Sequence, residues 1–176
     1  MLGELGYPID FISLDVDERV PSGTPAADVA EMLALRKAHA CPANMIDSDT
    51  VLVSADTVVV LGDKVLGKPA SRDEAFAMLR ALAGNRHSVY TGVCLRTASQ
   101  TLSFTEKTDV HFRPLGDDEI AYYVDNYRPY DKAGAYGIQE WIGMVGISGI
   151  EGCYYNVMGL PVARLYEHLK KLSPSI

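Results

Sequence analysis

One carboxylate stands inside the most β-branched stretch of the chain. Asp56 interrupts Val51–Leu61, which reads VLVSADTVVVL, and a charge placed there must be solvated, paired or bound to a metal. An isolated aspartate at a strand end commonly caps a turn through the neighbouring backbone. Here Ser54 and Thr57 flank it, and a carboxylate beside hydroxyls is suited to holding Mg²⁺ or orienting an attacking water. The pattern favours a functional carboxylate over a turn cap.

Two loops carry polar side chains that could contact a ligand. Lys68 stands between Gly67 and Pro69 and could meet a phosphate as a compact point charge, although a solvated loop lysine fits the local sequence equally well. The segment Asp131–Gln139, DKAGAYGIQ, has two glycines that let backbone approach a ligand. The amide of Gln139 offers a donor and an acceptor to the edge of a base, with a plain surface glutamine as the commoner alternative.

The acidic pair Asp17-Glu18 is by default a solvated loop, but placed near Asp56 it would complete an oxygen-rich metal site. The sequence lacks the motifs of several other classes of enzyme or metal site. There is no Gly-x-x-x-x-Gly-Lys-Ser/Thr loop, no Gly-x-Gly-x-x-Gly, no His-Glu-x-x-His and no Gly-x-Ser-x-Gly. These absences count against a phosphate-loop NTPase, a dinucleotide-binding enzyme, a zinc site and a serine hydrolase.

Hydrophobic periodicity and turn residues predict the elements that must position these side chains. Strands are predicted at Ile9–Val16, Val51–Leu61, Lys64–Leu66, His87–Thr97 and Thr101–Phe112, with two more short strands between Gly134 and Gly159. Helices are predicted from Thr24-Pro25 to His39, from Arg72 to Ala83 behind a Ser71 cap, from Asp117 to Tyr127, and from Pro161 to Leu172 before Ser173-Pro174. Interleaved strands, helices and hairpins favour an α/β fold with a mixed sheet covered by helices.

The 176 residues carry 16 Lys+Arg against 23 Asp+Glu, a net charge of -7. This net negative charge argues against non-specific electrostatic binding to nucleic acid or to an anionic membrane. We read one domain over residues 1–176, since no linker or repeat divides the sequence. Three scattered cysteines and the lack of a membrane-spanning run or signal peptide lead us to expect a soluble protein of the reducing cytoplasm.

Five ordered blocks, spread from about Leu5 to Leu169, resemble the Maf family of nucleoside triphosphate pyrophosphatases. The blocks are Ser54–Val59, Gly67–Pro69, His87–Val93, Asp131–Gln139 and Tyr155–Pro161. The resemblance implies an α/β fold like that of the inosine triphosphate pyrophosphatases, in which helices flank a twisted mixed sheet and two lobes enclose a central cleft. It also implies a homodimer.

The resemblance further implies roles for individual residues. Asp56 matches the proton acceptor, and Glu18, Lys37 and Lys68 match other catalytic positions of the cleft. A divalent cation, Mg²⁺ or Mn²⁺, would be held by Asp56 and Glu18. The implied reaction is hydrolysis of the α–β phosphoanhydride of a nucleoside triphosphate, which releases the monophosphate and pyrophosphate.

Two residues match specificity positions of the branch that acts on dTTP and UTP. These are Thr57, after the catalytic aspartate, and Gln139, whose amide can complement part of a thymine or uracil edge. A related substrate such as 7-methyl-GTP is an alternative. So is a nucleotide-binding regulatory protein linked to cell division with little or no turnover.

One departure from the family pattern concerns the start of the chain. Family members usually have a strand and a loop reading Ser-x-Ser-Pro-Arg-Arg upstream of the part that matches Leu2–Phe11, and the sequence contains neither. We therefore interpret the domain as N-terminally incomplete. Losing a bidentate phosphate clamp leads us to expect weak activity.

Overall fold

Helices cover both faces of a five-stranded sheet in the computed structural model, which describes residues 1–21 and 23–172. The strands are β1 (Leu52–Leu61), β2 (Lys64–Leu66), β3 (Arg86–Arg96), β4 (Thr101–Phe112) and β5 (Ile147–Glu151). The helices are α1 (Ala26–Ala40), α2 (Arg72–Leu82), α3 (Asp117–Tyr127), α4 (Trp141–Gly146), α5 (Tyr154–Val157) and α6 (Val162–Leu172). Three 3₁₀ turns lie at Leu2–Leu5, Ala43–Met45 and Ala133–Ala135.

The sheet has the order β2-β1-β3-β4-β5, and each of these neighbours pairs antiparallel. The α/β fold with a sheet flanked by helices is therefore confirmed. Its strands, within the described residues, are antiparallel rather than mixed. The physical reason is the crossover through α2: β2 and β3 run in the same direction, but β1 lies between them and pairs with both.

Most predicted elements form where local sequence signals them. Strands β1 to β4 and helices α1, α2, α3 and α6 all appear within a few residues of their predicted bounds. At the start of α2, the Ser71 hydroxyl accepts the Glu74 amide at 3.2 Å, as the capping pattern predicts. The predicted stop signal Ser173-Pro174 lies outside the described residues. Between Gly134 and Gly159 one strand and two short helices form, so the prediction of two strands there is wrong.

The strand predicted at Ile9–Val16 does not form. A strand needs a neighbour for its backbone groups, and none of the described strands pairs with this segment. The residues that follow it are held against α1 instead. Arg36 of α1 donates from Nη1 to the backbone oxygens of Asp17 at 2.5 Å and Arg19 at 2.9 Å. Phe11 is 90% exposed, which shows that the alternating pattern of the segment is not used to bury a face.

Residues of β1 alternate between two differently covered faces. One face carries Val58 and Val60, which pack with Val29, Ala30 and Leu33 of α1. The opposite face carries the two larger apolar clusters, one built with α2, α3 and α4 and the other with α6. Asp56 therefore points to the α1 face and Thr57 to the opposite one. None of the described helices is long and apolar enough to cross a membrane.

Helix α1 presses directly on β3 at Gly92, the residue paired with Asp56. A Cβ built on Gly92 would lie 2.3 Å from the backbone of Ala30 and Glu31, closer than any side chain can approach. One turn further on, the Ser54 hydroxyl donates to the backbone oxygen of Ala34 at 2.7 Å. These two contacts fix the height and direction of α1 over β1.

We expect Gly92→Ala to destabilise the protein, because the added methyl group meets helix backbone that cannot rotate away. Overpacking of this kind costs about 1–3 kcal/mol, measured by chemical denaturation. Gly149→Ala is the matched control, since Gly149 is also in a strand and has no atom within 4 Å of the added Cβ. Equal stability of the two variants would show that α1 does not rest on Gly92.

Candidate active site

A single ammonium group joins two carboxylates on the α1 face of the sheet. Lys37 Nζ donates to Asp56 Oδ1 and lies 2.8 Å from Glu18 Oε1. The side chain of Asp56 is only 15% exposed, whereas that of Glu18 is 53% exposed. Three of the residues predicted from the sequence therefore meet at one point.

Each partner reaches this point from a different element. Asp56 lies in the middle of β1, Lys37 belongs to the last turns of α1, and Glu18 comes from the segment that precedes α1. Arg36 holds that segment through its bonds to the oxygens of Asp17 and Arg19, the neighbours of Glu18. The packing of α1 thus positions two of the three partners.

The environment shifts the proton affinities of these groups. Burial raises the pKa of the Asp56 carboxyl, against the opposing effects of Lys37 and Lys68. The hydrogen bond from Lys37 is the main cause of a lowered pKa at Glu18. Burial alone would lower the pKa of Lys37, but its bonds to Asp56 and Glu18 outweigh burial and raise it. A carboxylate with a raised pKa is the better proton acceptor, which distinguishes Asp56 from Glu18.

The site borders an open strand edge. β2 pairs with β1 only at Val59–Leu61, so in the described ranges the edge of β1 from Leu52 to Val58 has no strand beside it. Lys68 follows β2 along this edge and is exposed. Its charge is one of the minor causes that act on the pKa values of Glu18, Asp56 and Asp131. Lys68 is therefore near the carboxylates without a direct ion pair to them.

The Thr57 side chain lies on the opposite face from that of Asp56, so the side chains of these two predicted residues do not meet. Thr57 Oγ1 is 2.8 Å from Thr91 Oγ1. The Thr91 hydroxyl donates in turn to the backbone oxygen of Asn156 at 3.1 Å. Both residues nevertheless lie in the unpaired part of the β1 edge, with the Asp56 side chain on one face and the Thr57 side chain on the other.

Gln139 lies at the exposed end of the segment that begins at Asp131. The segment is tied to the Lys68 loop, because the Gly134 amide donates to the Gly67 oxygen at 3.0 Å. Gly134 has φ 69°, and a Cβ there would lie 3.0 Å from a methyl of Val59, so this position requires glycine. No hydrogen bond found among the described residues joins Gln139 to Asp56 or Thr57.

A buried tyrosine beneath the turn at Gly137–Glu140 is not among the site residues predicted from the sequence. The Tyr123 hydroxyl donates to the Glu140 carboxylate and accepts the Gly137 amide at 3.0 Å. Glu140 also lies 3.2 Å from Lys132 Nζ. Burial raises the pKa of Tyr123, which keeps the hydroxyl protonated as a donor. Its place on the apolar face of α3 predicts packing, and nothing in the sequence marks the hydroxyl.

A divalent cation is compatible with the donors present. In the part of the chain that the structure describes, no three His, Cys, Asp or Glu side chains form a metal-binding group. Asp56 and Glu18 do converge on one positive charge, that of Lys37. Mg²⁺ is often held by one or two carboxylates together with phosphate oxygens. The carboxylate pair therefore fits an ion that binds together with a triphosphate.

Comparisons with known proteins agree with the resemblance seen in the five blocks. A family model described as Maf-like protein matches residues 1–172. A relative from Bacteroides thetaiotaomicron is 51% identical over 170 residues, which cover 95% of this chain and 88% of the relative. One from Parabacteroides distasonis is 49% identical over 168 residues, covering 94% and 86%.

A third relative, from Porphyromonas gingivalis, is 48% identical over 162 residues, covering 92% of this chain and 81% of its own length. All three relatives carry the name dTTP/UTP pyrophosphatase. The family match covers nearly the whole chain, and about half of the aligned residues are identical. The chain belongs to the Maf family.

Proposed function

We propose that the protein hydrolyses nucleoside triphosphates, preferentially dTTP and UTP, to the nucleoside monophosphate and pyrophosphate. The observation that carries the proposal is the half-buried Asp56, paired with Lys37 beside an open strand edge that Lys68 borders. Relatives about 50% identical along most of the chain are named for this activity, which supports the substrate class.

Asp56 acts as the proton acceptor in this proposal. The oxygen of a water molecule attacks the α-phosphorus, its proton passes to the Asp56 carboxylate, and the bond from the α-phosphorus to the bridging oxygen breaks. Pyrophosphate leaves with the electron pair of that bond. Lys37 and Lys68 supply positive charge where negative charge develops on the phosphate oxygens.

Lys37 has a second task in the free protein. Its ammonium compensates the two carboxylates that would otherwise repel each other and an incoming polyphosphate. Glu18 and Asp56 would hold Mg²⁺ or Mn²⁺, which when bound neutralises phosphate charge and polarises the α-phosphate. The net charge of -7 makes these local cations necessary for binding an anion.

The segment that ends in Gln139 is assigned to the nucleobase. Thymine and uracil present two carbonyl acceptors around one N–H, and the amide of Gln139 can pair with part of that pattern. The segment shares a backbone hydrogen bond with the Lys68 loop, so the groups for the base and for the phosphates are mechanically linked.

We place the reaction in the cytoplasm. Cys41, Cys94 and Cys153 are free thiols, two of them buried, which suits a reducing compartment. The homodimer that the resemblance implies stays a prediction.

Asp56→Asn should lower kcat by about 10²–10⁴-fold, because the amide cannot accept the proton of the attacking water. The measurement is pyrophosphate release from a panel of dTTP, UTP, CTP, GTP and 7-methyl-GTP, each with and without Mg²⁺. Asp63→Asn, in the exposed turn between β1 and β2, is the control and should keep full activity.

Full turnover by Asp56→Asn would contradict the assignment of Asp56 as proton acceptor. Binding of UTP without pyrophosphate release in the unmodified protein would instead favour a nucleotide-binding regulatory protein. Turnover confined to 7-methyl-GTP would move the protein to another substrate.

Tyr123→Phe should loosen the Gln139 turn, since it leaves the Gly137 amide and the Glu140 carboxylate without their shared hydroxyl. The expected loss is about 1–3 kcal/mol of unfolding free energy, together with faster hydrogen exchange at Gly137. Tyr122→Phe is the matched control, because Tyr122 is the neighbouring residue and is 49% exposed. If both variants behaved alike, the hydroxyl of Tyr123 would not be holding the turn.

A further inference from the structure

Three hydrogen-bonded polar groups, called the relay below, lie on the face of the sheet opposite Asp56. The relay runs from the Thr57 hydroxyl to the Thr91 hydroxyl, 2.8 Å away, and on to the backbone oxygen of Asn156 at 3.1 Å. Thr91 and Asn156 are completely buried, so water does not compete for these bonds. Only Thr57, at the open edge of β1, is partly exposed.

The direction of each hydrogen bond in the relay follows from proton counting. A threonine hydroxyl has one proton, and a backbone carbonyl oxygen can only accept. Thr91 therefore gives its proton to Asn156 and must accept at its contact with Thr57. Thr57 in turn donates its own hydroxyl proton to Thr91. Toward any further partner, the oxygen of Thr57 can then act only as an acceptor.

The rest of the structure keeps the end of this relay in place. The Asn156 amide nitrogen donates to the Val89 oxygen at 3.2 Å and to Thr108 Oγ1 at 3.0 Å. The Asn156 backbone oxygen also accepts the amide of Gly159 at 2.9 Å. The acceptor for Thr91 is thus fixed before any ligand arrives, and it stays satisfied if the Thr91 hydroxyl is removed.

We propose that Thr91 is a specificity-determining positioning residue, which fixes Thr57 as a hydrogen-bond acceptor and so selects a base that offers an N–H at ring position 3. The inference rests on the proposed function, and it takes Thr57, which matches a specificity position of the branch that acts on dTTP and UTP, to face the nucleobase. Thymine and uracil carry a proton on N3, whereas N3 of cytosine is an acceptor with a lone pair. An acceptor opposite N3 therefore favours thymine and uracil and disfavours cytosine.

The test compares kcat/KM for UTP and CTP, which differ only in the base, in the unmodified protein and in Thr91→Val. Valine keeps the shape of Thr91 but cannot accept the proton of Thr57, so Thr57 can donate to N3 of cytosine. We expect the ratio of UTP to CTP to fall about tenfold, the worth of one hydrogen bond. Thr91→Ser keeps the hydroxyl and should keep the ratio.

A second variant keeps the inference testable if Thr91→Val does not fold. Thr57→Val removes the acceptor itself and should lower the UTP to CTP ratio by a similar factor. The double variant should add little to either single change, because the two residues act through one interaction. Calorimetric affinities for UTP and CTP give the same comparison without turnover.

The outcomes separate this inference from the proposed function. Absence of pyrophosphate release from UTP in the unmodified protein would contradict the function, while the ratio of affinities would still test the relay. An unchanged UTP to CTP ratio in Thr91→Val and Thr57→Val would overturn the role of Thr91 and leave the function standing. A purely structural role for Thr91 would lower both values of kcat/KM equally, which also overturns the inference.

Discussion

The site depends on one shared charge, the Lys37 ammonium between Asp56 and Glu18. A carboxylate as enclosed as Asp56 is costly without a partner, and removing the partner of a buried ion pair is strongly destabilising. Lys37 can serve both acids because α1 lies against β3 at Gly92, where only hydrogen fits beneath the helix backbone. A packing contact of the core thus positions Lys37 between the two acids, and the burial of Asp56, which outweighs the opposing effect of Lys37, leaves Asp56 as the stronger base.

In the proposed function, the open edge of β1 would let residues on two faces of a strand contact one substrate. Consecutive side chains of a strand point in opposite directions, so Asp56 and Thr57 can never lie side by side on a single face. A ligand that lies along the edge can contact both. On one side it would meet the carboxylates and Lys37, and on the other Thr57 and the segment that carries Gln139. Lys68 follows β2, the strand that pairs with the neighbouring part of the same edge at Val59–Leu61.

Much of this arrangement could be predicted from the sequence because the signals are local. The β-branched run around Asp56, the Ser71 cap and the hairpin of β3 and β4 each reflect neighbouring residues, and the five blocks indicated the family. The resemblance placed Lys37 and Asp56 in one cleft but did not predict their pairing, which depends on how a helix docks 19 residues away in the chain. The prediction of a strand at Ile9–Val16 was wrong because alternation says nothing about an available neighbour. The roles of Tyr123 and Thr91 rest on single hydroxyl groups, which composition and periodicity do not reveal.

The most direct test of the account is a titration of the Asp56 side-chain carboxyl carbon by NMR in the ligand-free protein. The account predicts a pKa above the ordinary value of 3.8, because burial outweighs the nearby lysines. It also predicts a further rise in Lys37→Met, which removes the main opposing charge, and no change in Lys64→Met on the exposed strand β2. A pKa at or below the ordinary value, or one that does not respond to the loss of Lys37, would contradict it.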